Sequence, residues 1–264
     1  MIPRALTIAG SDSGGGAGIQ ADLKTFSAFR VYGMSAITAI TVQNTQGVYK
    51  IVAVDAEVVA EQIDVVIEDI GVDVIKIGML FSDEIIIAVA DRLRRYAKMI
   101  PVIVDPVMRA KGGAALLSPG AENRMREHLL PLATLITPNL PEAEALSQKE
   151  INCPEDMLRA GRALVQQGIP YVLVKGGHLE GYPSDDLLCS SQEELWLKGE
   201  RIQSVHTHGT GCTLSSAIAA GLAQGHDMVE SVTRAKHYVS RAILEAPRFG
   251  HGHGPLWHFP GDMP

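Results

Sequence analysis

Short apolar runs rich in valine and isoleucine alternate along this chain with longer stretches of helical spacing, and no other feature constrains the fold as strongly. Runs of strand length lie at 5–9, 36–42, 48–54, 74–77, 102–104, 135–136 and 171–174. Helical periodicity covers 18–31, 57–70, 83–97, 141–147, 155–167, 213–224 and 228–245. Shorter runs at 187–189, 195–197 and 202–205 read as a small antiparallel patch. A helix between strands returns the chain to the same edge, so the strands it joins run parallel and their two faces are covered. The expectation is an α/β fold with a mostly parallel sheet between helical layers. The 264 residues, 46% of them hydrophobic, suffice for one large domain or two small ones. The chain has no Pro/Ser linker, internal repeat or low-complexity tract, so a single domain over 1–264 is expected.

The formal net charge of −7 disfavours wrapping of nucleic acid, which is held largely through Lys and Arg on phosphates. No apolar run approaches the ~18–20 residues needed to cross a bilayer, and the first residues lack the pattern of a secretory signal. The three cysteines, Cys153, Cys189 and Cys212, are too few and too widely spaced for a disulfide framework or a zinc site. A reducing, cytoplasmic location is expected.

In open α/β sheets, ligands bind beyond the carboxyl ends of the strands. Polar or glycine-rich residues follow six apolar strands here: 10–16, Gln43-Asn44, Gly78-Met79, Asp105, Asn139 and Lys175-Gly176-Gly177. One cleft built from many loops is the reading. The segment Gly10-Ser-Asp-Ser-Gly-Gly-Gly-Ala-Gly18 holds five glycines in nine residues, more than a turn needs. It lacks the Gly-Lys-Ser/Thr of a P-loop and is not a clean dinucleotide fingerprint. Close backbone approach to a small ligand fits it better. Asp22, one turn into the next helix, faces either that ligand or solvent.

Thr207-His-Gly-Thr-Gly-Cys-Thr213 is the most telling motif. Glycines let amides converge, and the start of an Ala-rich helix adds partial positive charge, so this turn is a pocket for an anion such as a phosphate in transfer. Cys212 stands at its mouth, and the helix start should bring its thiol below the usual ~8.5. The plain alternative is a small residue chosen for packing. His206 and His208 flank the turn, as phosphate contacts or as structural hydrogen-bonding residues. Lys175, beside two glycines at a strand tip, suits a phosphate contact. Asp105 and Glu142 suit magnesium, which takes one or two carboxylates, waters and phosphates. Asn139 and Glu142 equally form a helix cap. Gln43-Asn44 can pair with a nitrogen heterocycle or simply make a turn. The tail 250–259 carries three histidines but no acidic or cysteine partner, and reads as a loop packing back on the body.

Taken together, the runs 6–24, Gln43-Asn44, Lys76-Ile-Gly-Met79, Ile136-Thr-Pro-Asn-Leu-Pro-Glu142, Lys175-Gly-Gly-His178 and His208-Gly-Thr-Gly-Cys-Thr-Leu214 resemble the bacterial hydroxymethylpyrimidine/phosphomethylpyrimidine kinases of thiamine biosynthesis. The resemblance spans essentially the whole chain and places it in the ribokinase-like superfamily. It implies a three-layer αβα fold, a small-molecule pyrimidine substrate, ATP and Mg²⁺, and a homodimer. It implies that Gln43 reads the pyrimidine, with Gly10, Asp22, Met79 and Val107 lining the same pocket. It further implies an anion hole at Gly209, Thr210 and Gly211, a Lys175 contact to ATP phosphates, and a magnesium region at Asp105 and Glu142. Most ribokinase-like kinases carry an aspartate where this chain has Cys212. The expected chemistry is in-line transfer to the hydroxymethyl oxygen, with Cys212 as a thiolate base, followed by transfer to the monophosphate. The rival readings are a pyridoxal or pyridoxine kinase of the same superfamily, a silent pyrimidine-binding protein, and, more distantly, a nicotinamide enzyme.

Overall fold

A computed structural model describes residues 2–109, 113, 116–118, 120–179 and 181–261. Among these, nine strands form one sheet: β1 (Arg4–Asp12), β2 (Tyr32–Asn44), β3 (Gly47–Ala53), β4 (Val74–Ile77), β5 (Val102–Val104), β6 (Leu135–Ile136), β7 (Tyr171–Val174), β8 (Asp186–Ser190) and β9 (Glu194–Leu197). The order is β3-β2-β1-β4-β5-β6-β7-β8-β9. Strands β2, β1, β4, β5, β6 and β7 run parallel, while β3, β8 and β9 join through antiparallel pairings. The αβα layering read from the sequence is the fold found, and the antiparallel patch is part of the main sheet.

The helices are α1 (Gly18–Ala28), α2 (Ala56–Asp69), α3 (Asp83–Tyr96), α4 (Ala121–Arg124), α5 (Leu140–Ser147), α6 (Pro154–Gln166), α7 (Thr210–Ala223) and α8 (Met228–Leu244). Local chemistry sets several starts. Ser82 accepts from the Ile85 amide to cap α3, which carries Asp83 and Glu84 first and Arg94 and Arg95 last, matching the helix dipole. Asp55 and Asp227 cap α2 and α8 in the same way. Each inner strand feeds two cores. In β4, Ile75 and Ile77 face the layer of α2 to α6, while Val74 faces that of α1, α7 and α8.

Two expectations are corrected. Residues 202–205 form no strand, and Val205 there is 63% exposed. The stretch between β5 and β6, blank in the sequence reading, holds α4 followed by a π turn (Met125–Leu129) and a 3₁₀ turn (Leu130–Leu132). Met125, Leu129 and Leu130 are buried there, but the π turn and Pro131 break the 3.6-residue spacing that marks a helix.

Because β1 lies between β2 and β4, the chain leaves β1 in one direction and returns to its other side. This is the switch point at which a crevice opens beyond the strand ends. One buried ion pair fastens it. Lys76 of β4 donates to both Asp22 oxygens of α1 at 2.9 Å, and neither side chain is exposed. Thr7 of β1 donates to the same carboxylate at 2.6 Å and Ser216 of α7 at 2.7 Å. Lys76→Met leaves this carboxylate buried without its cation, a change worth roughly 3–5 kcal/mol. The expected result is a large fall in the urea midpoint, and an unchanged midpoint would show that the pair does not hold these elements together.

Candidate active site

A cavity of about 750 Å³ opens beyond the carboxyl ends of β1, β4, β5, β6 and β7. The sequence places a distinct chemistry at each strand end, and the fold gathers them. Gly10, Gln43, Met79, Val107, Asp105, Glu142, Lys175, Gly209, Thr210, Gly211 and Cys212 all line it. Asp22 does not. It lies beneath the floor, fully buried against Lys76, so neither expected placement, ligand or solvent, is the one found. A carboxylate so thoroughly bonded holds structure rather than substrate. Lys76 reaches the cavity lining in its place.

The anion turn begins at Gly209, the cap of α7, with φ of +83°. A Cβ here would stand 1.7 Å from the Gly16 carbonyl oxygen, so only glycine fits. The helix starts at Thr210, three residues before the sequence reading, which puts 210–212 in its first turn. Those amides carry the positive end of a 14-residue helix toward the cavity. A Cβ at Gly211 would come within 3.3 Å of both Asp105 Oδ2 and Lys175 Nζ, which shows how tightly the turn meets the charged strand tips.

Those tips form a charge cluster. Lys175 Nζ donates to Asp105 Oδ1 at 3.0 Å, and Thr137 Oγ1 donates to the same oxygen at 3.2 Å. Burial opposes the Lys175 charge, but Asp105 and Glu142 outweigh it and raise the ammonium pKa. Glu142 closes a capping box: its amide donates to Asn139 Oδ1 at 2.9 Å, and the Asn139 amide donates to Glu142 Oε2 at 2.8 Å. Capping and exposure to the cleft thus coexist in one residue. Burial pushes the Glu142 carboxyl up to about 7; Lys175 works against this, and Asp105 adds to it.

These residues fit a divalent cation. Two buried carboxylates share one cavity wall, and one is held high by desolvation that a cation would relieve. Among the described residues no group of three or more His, Cys, Asp or Glu gathers into a cage, so water and substrate oxygens would complete the shell.

The opposite end is built on Asp12, which the sequence reading passed over. Its carboxylate accepts from the amides of Gly14, Gly16 and Ala17 at 2.8 to 3.0 Å and from His208 Nε2 at 2.8 Å. Burial works to raise this carboxyl, but the His208 hydrogen bond and those amides hold it below the usual range. An aspartate two residues before a run of glycines is the local signal, since it folds the turn around its own side chain. His208 therefore belongs to this wall. His206 is not among the cavity-lining residues.

Cys212 corrects a second expectation. Burial pushes its thiol up to about 11. Lys76 and the Gly18 amide pull it down, while Asp22 and Asp105 push it further up. The helix start is thus outweighed by the loss of water and by two carboxylates. The tail does pack back on the body. His253 N–H donates to the Thr45 carbonyl at 2.8 Å, and buried His258 sits 3.2 Å from Thr213 Oγ1.

Comparison with known proteins accords with this geometry. The phosphomethylpyrimidine kinase family model matches residues 12–257. A hydroxymethylpyrimidine/phosphomethylpyrimidine kinase of Rhizobium meliloti is 52% identical over 262 residues, covering 98% of each chain. The crystal structure of phosphomethylpyrimidine kinase from Clostridium difficile superposes with a TM-score of 0.83 at 46% identity, over 92% of this chain and 100% of that one. A pyridoxal kinase from Staphylococcus aureus, in complex with AMP-PCP and pyridoxal, gives 0.89 at 36% identity, over 98% and 95%.

The raised Glu142 pKa has a thermodynamic consequence. The carboxyl titrates near 4.5 in an open chain and at about 7 in the fold, so the folded state holds its proton more tightly. That contribution to stability is complete below the open-chain value and is lost as pH rises through the folded one. Glu142→Gln cannot titrate. Between about pH 5 and 8, the Tm of the natural chain is expected to fall relative to the Gln variant. Parallel curves would refute the raised value.

Proposed function

The chain belongs to the phosphomethylpyrimidine kinase family, and from that premise we propose how its cleft works. The chain is an enzyme that uses ATP to phosphorylate 4-amino-5-hydroxymethyl-2-methylpyrimidine to its monophosphate and then to the diphosphate, in thiamine biosynthesis. One observation carries the assignment of roles. The amide-rich start of α7, the Lys175–Asp105 pair and the polar Gln43 end share a single cavity at the switch point of the sheet.

Gln43, Met79, Val107 and Gly10 form the acceptor end. Gly10 is needed because a Cβ would meet Met79 Cε at 2.3 Å. The amides of Gly209, Thr210 and Gly211 meet negative charge as it develops on the migrating phosphoryl group. Lys175 adds a cation at the same place. Asp105 and Glu142 would hold magnesium, partly through water, and when bound it neutralises phosphate charge. Cys212 stands between the two ends and receives the hydroxymethyl proton once its own has left. The second transfer has an anionic phosphate oxygen as nucleophile and needs no base.

We further propose one domain, on the ground that a single sheet runs through the chain. Three free cysteines support a cytoplasmic location. No helix among the described residues is long and apolar enough to cross a membrane. The β2–β3 hairpin supports a homodimer. Ile40, Val42 and Val52 are about half exposed on its outer face, and Ile40 and Val52 are cross-strand partners.

Purified protein with ATP, magnesium and the hydroxymethylpyrimidine should give mono- and diphosphate products by mass. Turnover of pyridoxal alone would replace this reading with the rival kinase. Cys212→Ala tests the base. A thiol of pKa about 11 gains roughly tenfold in thiolate for each pH unit below that value. General bases contribute ~10²–10⁴-fold. The rate ratio of natural chain to Cys212→Ala should therefore rise with pH for the alcohol and stay near one for the monophosphate. A flat alcohol ratio, or equal losses with both acceptors, removes Cys212 from the proton path.

A further inference from the structure

Gln43 stands between two hydrogen-bonding neighbours. The Gln43 amide oxygen Oε1 lies 3.1 Å from Thr41 Oγ1 and its nitrogen Nε2 3.3 Å from His208 Nε2. Amide nitrogen and oxygen have nearly the same shape, so the proton count decides which end faces which neighbour.

Two independent counts agree. Thr41 Oγ1 has one proton, and the Ser11 carbonyl at 2.9 Å takes it. The hydroxyl can then only accept from Gln43, so turning the amide to bring its nitrogen to Thr41 satisfies both groups. On the other side, His208 Nε2 lies 2.8 Å from the Asp12 carboxylate, which can only accept. That ring nitrogen therefore carries a proton, which points first at Asp12, and an amide end 3.3 Å away can share it only as an oxygen. With the oxygen left toward Thr41 and the nitrogen toward His208, two N–H donors oppose each other at His208 while Thr41 needs a second proton.

We propose that His208, anchored by Asp12, is a positioning residue that locks the Gln43 amide in this one orientation and so sets the direction in which an aminopyrimidine seats. The inference rests on Gln43 being the pyrimidine contact. The locked amide offers the cavity a donor on the Thr41 side and an acceptor on the His208 side. A 4-aminopyrimidine edge presents a ring-nitrogen acceptor beside an amino donor and pairs with it in one sense only. Its amino group then lies toward His208. The hydroxymethyl group is on the neighbouring ring carbon, so it is carried toward the anion turn, which begins at the next residue, Gly209. A 4-oxo analogue has the opposite donor and acceptor order and meets the locked amide mismatched.

Asp12 also accepts three amides of the glycine-rich loop, and the backbone of His208 bridges to Pro255 of the tail. Asp12 and His208 are thus each tied to backbone outside the amide they face.

The test is the ratio of kcat/KM for the 4-amino substrate to that for its 4-oxo analogue. A residue that merely supports the fold would lower both rates and leave the ratio alone. In His208→Leu the ratio is expected to fall by roughly tenfold or more, the scale of one bidentate readout. His208→Gln, which restores an N–H donor, should recover much of it. Thr41→Val removes the partner on the other side with little change of shape, should lower the ratio in the same way, and decides the matter if His208→Leu does not fold. An unchanged ratio in a folded His208→Leu, or in Thr41→Val, overturns the lock. Gln43→Ala separates this from the underlying reading: if it abolishes the preference while the other two do not, only the lock fails; if it leaves the preference intact, Gln43 is not the pyrimidine contact and both fail.

Discussion

The buried pair of Asp22 and Lys76 is the contact on which the rest of this architecture depends. It joins α1 to β4, and through Thr7 and Ser216 it also takes in β1 and α7. These four elements meet at the switch point of the sheet, and the loops that follow β1 and β4 line the cleft. A buried ion pair of this kind adds little net stability over apolar residues of similar volume. What it fixes is register. An apolar contact at this depth could slide, whereas a carboxylate with four donor bonds has one arrangement.

Electrostatics in the cleft follow from the same crowding. Carboxylates, ammonium groups and a thiol are packed where little water reaches, and each sets the proton affinity of the others. Lys76 and Lys175 are held as cations by the carboxylates beside them. Glu142 and Cys212 shift the other way, because desolvation outweighs their nearest cation. The cleft thus keeps its two lysines charged while Glu142 and Cys212 retain their protons more readily than in water. Positive groups and backbone dipoles stand together in the cleft, where a negatively charged group would meet them.

Much of this was legible in the chain. Strands β4, β5, β6 and β7 coincide with short, mainly apolar runs, because a strand buried on both faces is mostly apolar, the buried Lys76 of β4 being the exception. The tips Asp105 and Lys175 stand out because each is a polar residue directly after such a run, and Asn139 because it follows one by Thr-Pro. The anion turn was visible as Gly-Thr-Gly ahead of an Ala-rich segment. What escaped notice was of two kinds. The π turn after α4 hides its buried face, since its spacing departs from the helical period. The surroundings of Asp22 and Cys212 leave no local signal, because they come from residues far away in the chain: Lys76 is 54 positions from Asp22, and Ser216 is 194.

By itself, then, the sequence determined the class of fold, the order of its elements and the chemical kinds of group that end each strand. Those properties depend on period, length and turn residues, which act over a few positions. Only the tertiary structure decided that Asp22 lies under the floor instead of lining the cavity, that the Cys212 thiol is raised and not lowered, and that Asp12 and His208 brace the wall beside Gln43. The reason is that proton affinity, burial and hydrogen-bond pairing are set by what surrounds a side chain in space, and here those neighbours come from opposite ends of the chain.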